Sequence, residues 1–201
     1  MKNICLILCV LMLTVSCAQE KRMLVGETDF QRELNSEFKD ATKSPLTPKD
    51  LKTFKALEFF PVDEAYKVTA SFKLTPDAKS FKMKTSTSRT PIYKCYGIAT
   101  FKLNGKEFSL EVYQSQDPNK DPKYKDDLFL PFTDETNGFE SYGGGRYIDV
   151  KIPSGNTLEI DFNKAYNPYC AYSDRYSCPV PPRVNFMKTE VKAGVKAYKK
   201  H

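Results

Sequence analysis

From Val68 onward the apolar residues of this chain recur at every second position, and two such runs meet at Asn104-Gly105. Val68, Ala70, Phe72 and Leu74 alternate with Lys67, Thr69, Ser71 and Lys73, which puts one face of an extended segment in a core and the other in water. Phe81, Met83 and Thr85 keep the period, as do Ala99, Phe101 and Leu103, then Phe108, Leu110 and Val112. Asparagine and glycine both tolerate positive φ, which a two-residue hairpin turn requires. An antiparallel pair joined at residues 104 and 105 is therefore expected. After the polar segment Asp117 to Asp127, Leu128 to Phe132 reads as a brief strand. Ile148, Val150 and Ile152 face Leu158, Ile160 and Phe162 across Pro153-Ser154-Gly155-Asn156, which predicts a second hairpin. Asn163 to Pro182 is turn-rich, and a short terminal strand or helix follows it.

A helical start precedes these strands. Asp29 is placed to cap a helix whose apolar residues Phe30, Leu34, Phe38 and Ala41 share one face, ending near Thr42. Thr47, Pro48 and Asp50 repeat the start signal for a second, reaching about Ala56. One or two short helices ahead of several antiparallel strands predict an α+β or mainly β domain, built as a curved antiparallel sheet or small β-barrel.

The N-terminus has the form of an export signal. Lys2 supplies a positive charge, Ile4 to Val15 is apolar but too short to span a bilayer, and Ser16-Cys17 closes the run. The tetrad Thr14-Val15-Ser16-Cys17 resembles the bacterial lipobox, with Thr14 where an aliphatic residue is usual. On this reading residues 1–16 are a signal peptide, Cys17 is acylated, and residues 17–28 are a lipidated tether to one β-rich domain over 29–201. The protein is then expected in the bacterial cell envelope, facing the periplasm or the cell surface, with the membrane as a partner through Cys17. A simple secretory peptide is the alternative. The net charge of +6 is spread as single lysines, without the basic stripe that phosphate recognition needs, so a nucleic-acid partner is not expected.

Several short words recur in a telling order: Leu128-Phe-Leu-Pro-Phe-Thr-Asp134, Tyr142-Gly-Gly-Gly-Arg-Tyr147, Asp161-Phe-Asn-Lys-Ala-Tyr-Asn-Pro168, Cys170-Ala-Tyr172 and Cys178-Pro-Val-Pro-Pro182. Together they resemble the bacterial domain-of-unknown-function family numbered 1684, from Ser44-Pro45-Leu46 onward. The resemblance carries no assigned reaction; it implies a split-barrel fold akin to flavin-binding barrels, which is an analogy of fold alone. The family tends to have glutamate where Val184 and Val195 stand here, so any role of those carboxylates is altered in this chain.

The candidate chemistry lies between Tyr142 and Cys178. The one histidine is His201, the last residue, which removes Ser-His-Asp and Cys-His activation and histidine-based metal sites. No metal is expected. Gly143, Gly144, Gly145 and Arg146 suit a recognition loop, because glycines let amides approach a ligand and a guanidinium clamps carboxylate or phosphate. The same residues also suit a tight strand start in which Arg146 pairs with Asp134, Glu140 or Asp161. Asp161, Asn163 and Asn167 are placed to line a cleft with Arg146 and Tyr142, or to cap turns. Cys170 and Cys178, in an exported protein, read as a loop disulfide. Cys95, within an apolar strand, reads as a buried thiol. Tyr142, Tyr147, Tyr166, Tyr169, Tyr172 and Tyr176 offer an aromatic wall. The leading expectation is an envelope lipoprotein that binds an anionic, partly aromatic small ligand near the glycine triplet. Two alternatives stay open: a flavin-type split-barrel oxidoreductase, with flavin as its cofactor, and an interaction lipoprotein without a small-molecule site.

Overall fold

Thr28, one residue ahead of the expected cap, begins the first helix, α1 (Asp29–Lys39), by accepting the Gln31 amide on its hydroxyl at 3.2 Å. Asp29 instead occupies the first turn, where its charge suits the helix dipole and its carboxylate pairs with Arg32. The helix stops at Lys39 because the Asp40 side chain takes the Thr42 amide at 2.9 Å and starts a turn. The second helix, α2 (Pro48–Thr53), follows its sequence signals: Thr47 caps the Asp50 amide at 3.1 Å and Pro48 opens the first turn. This computed structural model describes residues 26–119 and 121–198; the expected signal peptide, Cys17, most of the tether and His201 lie outside the described residues.

Among the described residues eight strands follow: β1 (Lys67–Leu74), β2 (Phe81–Lys82), β3 (Ile92–Leu103), β4 (Lys106–Ser115), β5 (Asp127–Asp134), β6 (Arg146–Lys151), β7 (Thr157–Asp161) and β8 (Phe186–Met187). Their main order is β6-β5-β4-β3-β1-β7, with β2 on β3 and β8 parallel to β5. The β3–β4 hairpin forms where it is expected, Asn104 at φ 51° and Gly105 at φ 76° turning the chain so that Leu103 pairs with Lys106. Both residues hold the left-handed backbone that such a turn demands.

The second expected hairpin does not form. β6 pairs with β5 and β7 with β1, at opposite ends of the strand order, although only residues 152–156 join them. Leu158 and Ile160 lie opposite Ala70 and Val68, so β7 extends the core face of β1 instead of doubling back on its sequence neighbour. This connection forces curvature. In a flat sheet the two ends would stand about 24 Å apart at the usual strand spacing, whereas the six links from residue 151 to 157 reach at most about 20 Å. The sheet curls instead into a half-barrel, mainly β, with two short helices.

The concave side holds the core: Ala70 and Phe72 of β1, Phe101 and Leu103 of β3, Leu110 and Val112 of β4, Leu128, Leu130 and Phe132 of β5, Ile148 of β6, and Leu158 and Ile160 of β7. Residues Val191 and Ala193 close the same cluster. Leu74, expected inside, lies at the open end of β1 and is exposed. A smaller cluster of Phe38, Leu46, Leu57, Tyr172 and Val195 seats α1 against the C-terminal segment, with Phe38 edge-on to Tyr172 at 4.7 Å. Val195, where the resemblance places glutamate, is thus a core residue, while Val184 is exposed.

β4 and β5 share one registered pair, Tyr113 with Phe129. Asn185, fully buried, replaces the missing ladder: its Oδ1 accepts from the Glu111 amide at 2.8 Å, and its Nδ2 donates to the carbonyls of Glu111 at 2.8 Å and Pro131 at 2.7 Å. One side chain therefore satisfies backbone groups of both strands.

Candidate functional site: an aromatic cleft on the outer face of the sheet

Alternation along β5 and β6 turns Phe129, Tyr147 and Asp149 away from the core that Leu130, Ile148 and Val150 enter. That outer face is covered, not solvated. α1 and residues 166–179 lie over it, enclosing a cleft of about 620 Å³. Its aromatic walls are Tyr93, Phe129, Tyr147, Tyr166, Tyr169 and Tyr176, with Tyr124 at one side and Phe30 and Leu34 from α1. The rings lock one another edge to face: Phe129 on Tyr147 at 4.7 Å and 74°, and Tyr147 on Tyr166 at 5.8 Å and 88°. The backbone reinforces this wall, since Tyr147 and Tyr166 exchange both amide bonds at 2.9 Å.

Polar groups in the cleft are placed by the same elements. The Tyr147 hydroxyl donates to the Pro179 carbonyl, and the Tyr166 hydroxyl to Asp149 Oδ2 at 2.7 Å. Burial pushes both phenols far above their ordinary range, so they remain neutral donors. Glu37, Asp127 and Asp149 line the cleft, and among its lining residues there is neither lysine nor arginine. Asp127 pairs with Lys151, whose ammonium is itself outside the lining.

The residues expected to bind a ligand take other places. Arg146 is fully buried: it donates to Asp134 Oδ2 at 2.8 Å, to the Val191 carbonyl at 2.7 Å and to the Ala193 carbonyl, and stacks near Phe132 at 5.3 Å and Phe60 at 5.7 Å. Of the three acids named as partners, Asp134 is the one it meets. Burial lowers the guanidinium's proton affinity and Asp134 opposes the shift. Arg146 lines neither the cleft nor a second cavity of about 370 Å³ beside Tyr66 and Lys192. Gly143 and Gly144 are exposed, and Gly145, at φ 89°, passes so close to β5 that a Cβ there would meet the Phe132 carbonyl at 2.7 Å. The glycine triplet is thus a tight lead into β6 rather than a cradle around the guanidinium.

Asp161, Asn163 and Asn167 hold turns. Asp161 Oδ1 accepts from the Asn163 amide at 3.0 Å, and Asn163 brackets Asp63 through its amide at 3.1 Å and its carbonyl at 2.9 Å. Asn167 Nδ2 donates to the Lys196 carbonyl at 2.8 Å and to the Tyr172 hydroxyl at 3.3 Å. None of the three lines the cleft. Tyr142 reaches Cys170 instead, its hydroxyl 3.9 Å from the sulfur, and burial pushes its own proton affinity up to about 12. Cys170 and Cys178 are neighbouring thiols, and Cys95 is partly buried with its proton affinity raised by desolvation. Of the six tyrosines expected as a wall, Tyr147, Tyr166, Tyr169 and Tyr176 line the cleft and Tyr172 belongs to the α1 cluster.

Tyr93, Tyr124, Phe129, Glu37, Asp127 and Asp149 are among the cleft residues that sequence reading passed over. For Phe129 and Asp149 a signal existed: in β5 and β6 the positions between core residues are an aromatic ring, a second ring and an acid, an uncommon choice for a merely solvated face.

An antiparallel half-barrel with an aromatic, acid-rimmed cleft on its outer face places the protein among curled-sheet β domains. The chain belongs to the family described as Protein of unknown function (DUF1684), which matches residues 52–196. It is similar to an uncharacterized protein of Haloarcula marismortui whose structure was solved in solution by NMR, with 34% identity, a TM-score of 0.66, and 85% of this chain and 92% of that chain covered. No curated protein matches the chain.

Proposed function

We propose that this protein is an exported, lipid-anchored binding protein whose cleft holds a small ligand with a flat or cationic group, carried by tyrosine faces. The cleft is what supports this reading: about 620 Å³, walled by phenol and phenyl rings, with Glu37, Asp127 and Asp149 as its charged lining. Ring faces carry negative potential and stack on flat groups or cations, and the carboxylates reinforce the same sign. The expectation of an anionic ligand rested on Arg146. With that guanidinium bonded internally to Asp134, an uncharged or positively charged ligand suits the chemistry of the cleft better.

Benzyltrimethylammonium, an aromatic quaternary amine, is the probe for calorimetric titration, with flavin mononucleotide as the comparison. Binding of the amine is expected, weakened about tenfold in Tyr93→Ala, a loss within the usual range of a cation–π contact. Heat from the flavin and none from the amine would overturn the amine reading and favour a flavin-binding site in its place. The anchor has a separate test. Radiolabelled palmitate fed to cells is expected in the wild-type protein and absent from Cys17→Ser, and equal labelling of the two would remove the lipoprotein reading.

A further inference from the structure

Cys170 and Cys178 meet beside the cleft in unlike settings. Cys178 lines it, and its backbone is held at both ends by Ser86: the Cys178 amide donates to Ser86 Oγ at 3.1 Å and its carbonyl accepts the Ser86 amide at 2.9 Å. Cys170 is partly exposed and sits in a single turn, Tyr169–Ala171, whose start at Pro168 has no side-chain cap. The two residues lie side by side. The Cys170 amide donates to Cys178 Sγ at 3.1 Å, and the Tyr142 hydroxyl stands 3.9 Å from the Cys170 sulfur. Cys178, first, and the Tyr142 hydroxyl press the Cys170 thiol down to about 6, while the proton on Cys178 is held more tightly than usual. A partly exposed Cys170 on a short turn beside a buried Cys178 on a clamped segment is the arrangement of an attacking and a resolving cysteine.

We propose that Cys170 and Cys178 are a redox-active pair that exchanges with a disulfide presented at the partly exposed Cys170, beside the cleft. The Cys170 thiolate attacks one sulfur of that disulfide; an S–S bond to Cys170 forms, and the second sulfur leaves as a thiolate that takes a proton from solvent. Cys178 then loses its proton to solvent and attacks Cys170 Sγ, closing the Cys170–Cys178 bond and expelling the first sulfur as a thiolate, which is protonated. One external disulfide gains two electrons and becomes two thiols, and the pair loses the same two. Cys178 Sγ already lies 3.1 Å from the Cys170 amide, so closure needs only the approach of the two sulfurs to the ~2.05 Å of a disulfide. Nothing in this exchange depends on whether the cleft also holds an amine, so the two proposals fail separately.

The test equilibrates the full chain in glutathione buffers and maps each cysteine by mass spectrometry. In the wild type, oxidised glutathione is expected to close Cys170–Cys178 and reduced glutathione to reopen it with the protein still folded. Cys178→Ser is expected to hold glutathione on Cys170 as a stable mixed disulfide, and Cys170→Ser to leave Cys178 unmodified. In the reduced wild type, iodoacetamide labelling of Cys170 is expected to rise with a midpoint near pH 6, so that at pH 7 it reacts about tenfold or more faster than Cys95. A bridge that reduced glutathione opens only on unfolding would make it a structural disulfide and overturn the proposal. Labelling of Cys178 ahead of Cys170, or a Cys170 midpoint near 9, would overturn it as well. Should Cys178→Ser fail to fold, the wild-type buffer series and labelling profile decide alone.

Discussion

Methionine in place of Arg146 is expected to lower the unfolding free energy by about 3–5 kcal/mol, the usual loss when one partner of a buried ion pair is removed. The reason is what stays behind. Asp134 is as buried as its partner, and its Oδ1 already accepts from the Thr136 amide at 2.9 Å, the Thr136 hydroxyl at 2.6 Å and the Val191 amide at 3.1 Å. Oδ2, fully buried, would lose its cation, and the carbonyls of Val191 and Ala193 would lose their donor. At roughly 2–4 °C per kcal/mol for a domain of this size, the melting temperature should fall by about 6–20 °C. A double-mutant cycle with Asp134→Asn makes the assignment specific. Removing both charges should cost less than the sum of the single losses, because the uncompensated carboxylate is gone. Strict additivity in urea unfolding would show that the two residues act independently.

Asn185→Ala is the second large effect, about 2–4 kcal/mol, because one buried side chain closes the sparse β4–β5 ladder with three bonds. Its removal leaves the Glu111 amide and the carbonyls of Glu111 and Pro131 without that partner. Aspartate should not rescue it, since a carboxylate keeps the acceptor and loses both donors, directed at two carbonyls. Chemical denaturation of the three proteins gives the ranking: wild type above both variants. A loss under about 0.5 kcal/mol for Asn185→Ala would mean that the strands close the gap themselves.

Both residues expose how far sequence reading reached. Arg146 stood out because of the three glycines before it, and both of its readings were open: a clamp for an anion or an internal pair. Its pairing with Asp134 was among the alternatives, yet nothing local chose it. The carbonyls that complete its shell belong to Val191 and Ala193, 45 and 47 residues away. Asn185 carried no signal at all, since an asparagine after Pro-Pro-Arg-Val looks like any turn residue until two strands are brought to it. The aromatic wall was half legible. Tyr147, Tyr166, Tyr169 and Tyr176 were expected there, and Phe129 and Tyr93 joined them only because β5 and β3 are carried to the same face.

What the amino-acid order determined by itself is everything set within a few residues. Asn104-Gly105 turns the chain because both backbones accept positive φ, Thr47-Pro48 starts a helix, and period-two alternation sorts Ala70, Phe72, Leu110 and Val112 inward. The tertiary structure alone decided that β7 leaves β6 for β1, that the sheet curls, and that α1 covers its outer face. Turn and cap energies are local and act in any context. The partner of a strand edge or a buried charge is chosen by which distant surfaces lose the most unfavourable exposure together, and that sum exists only once the chain has closed on itself.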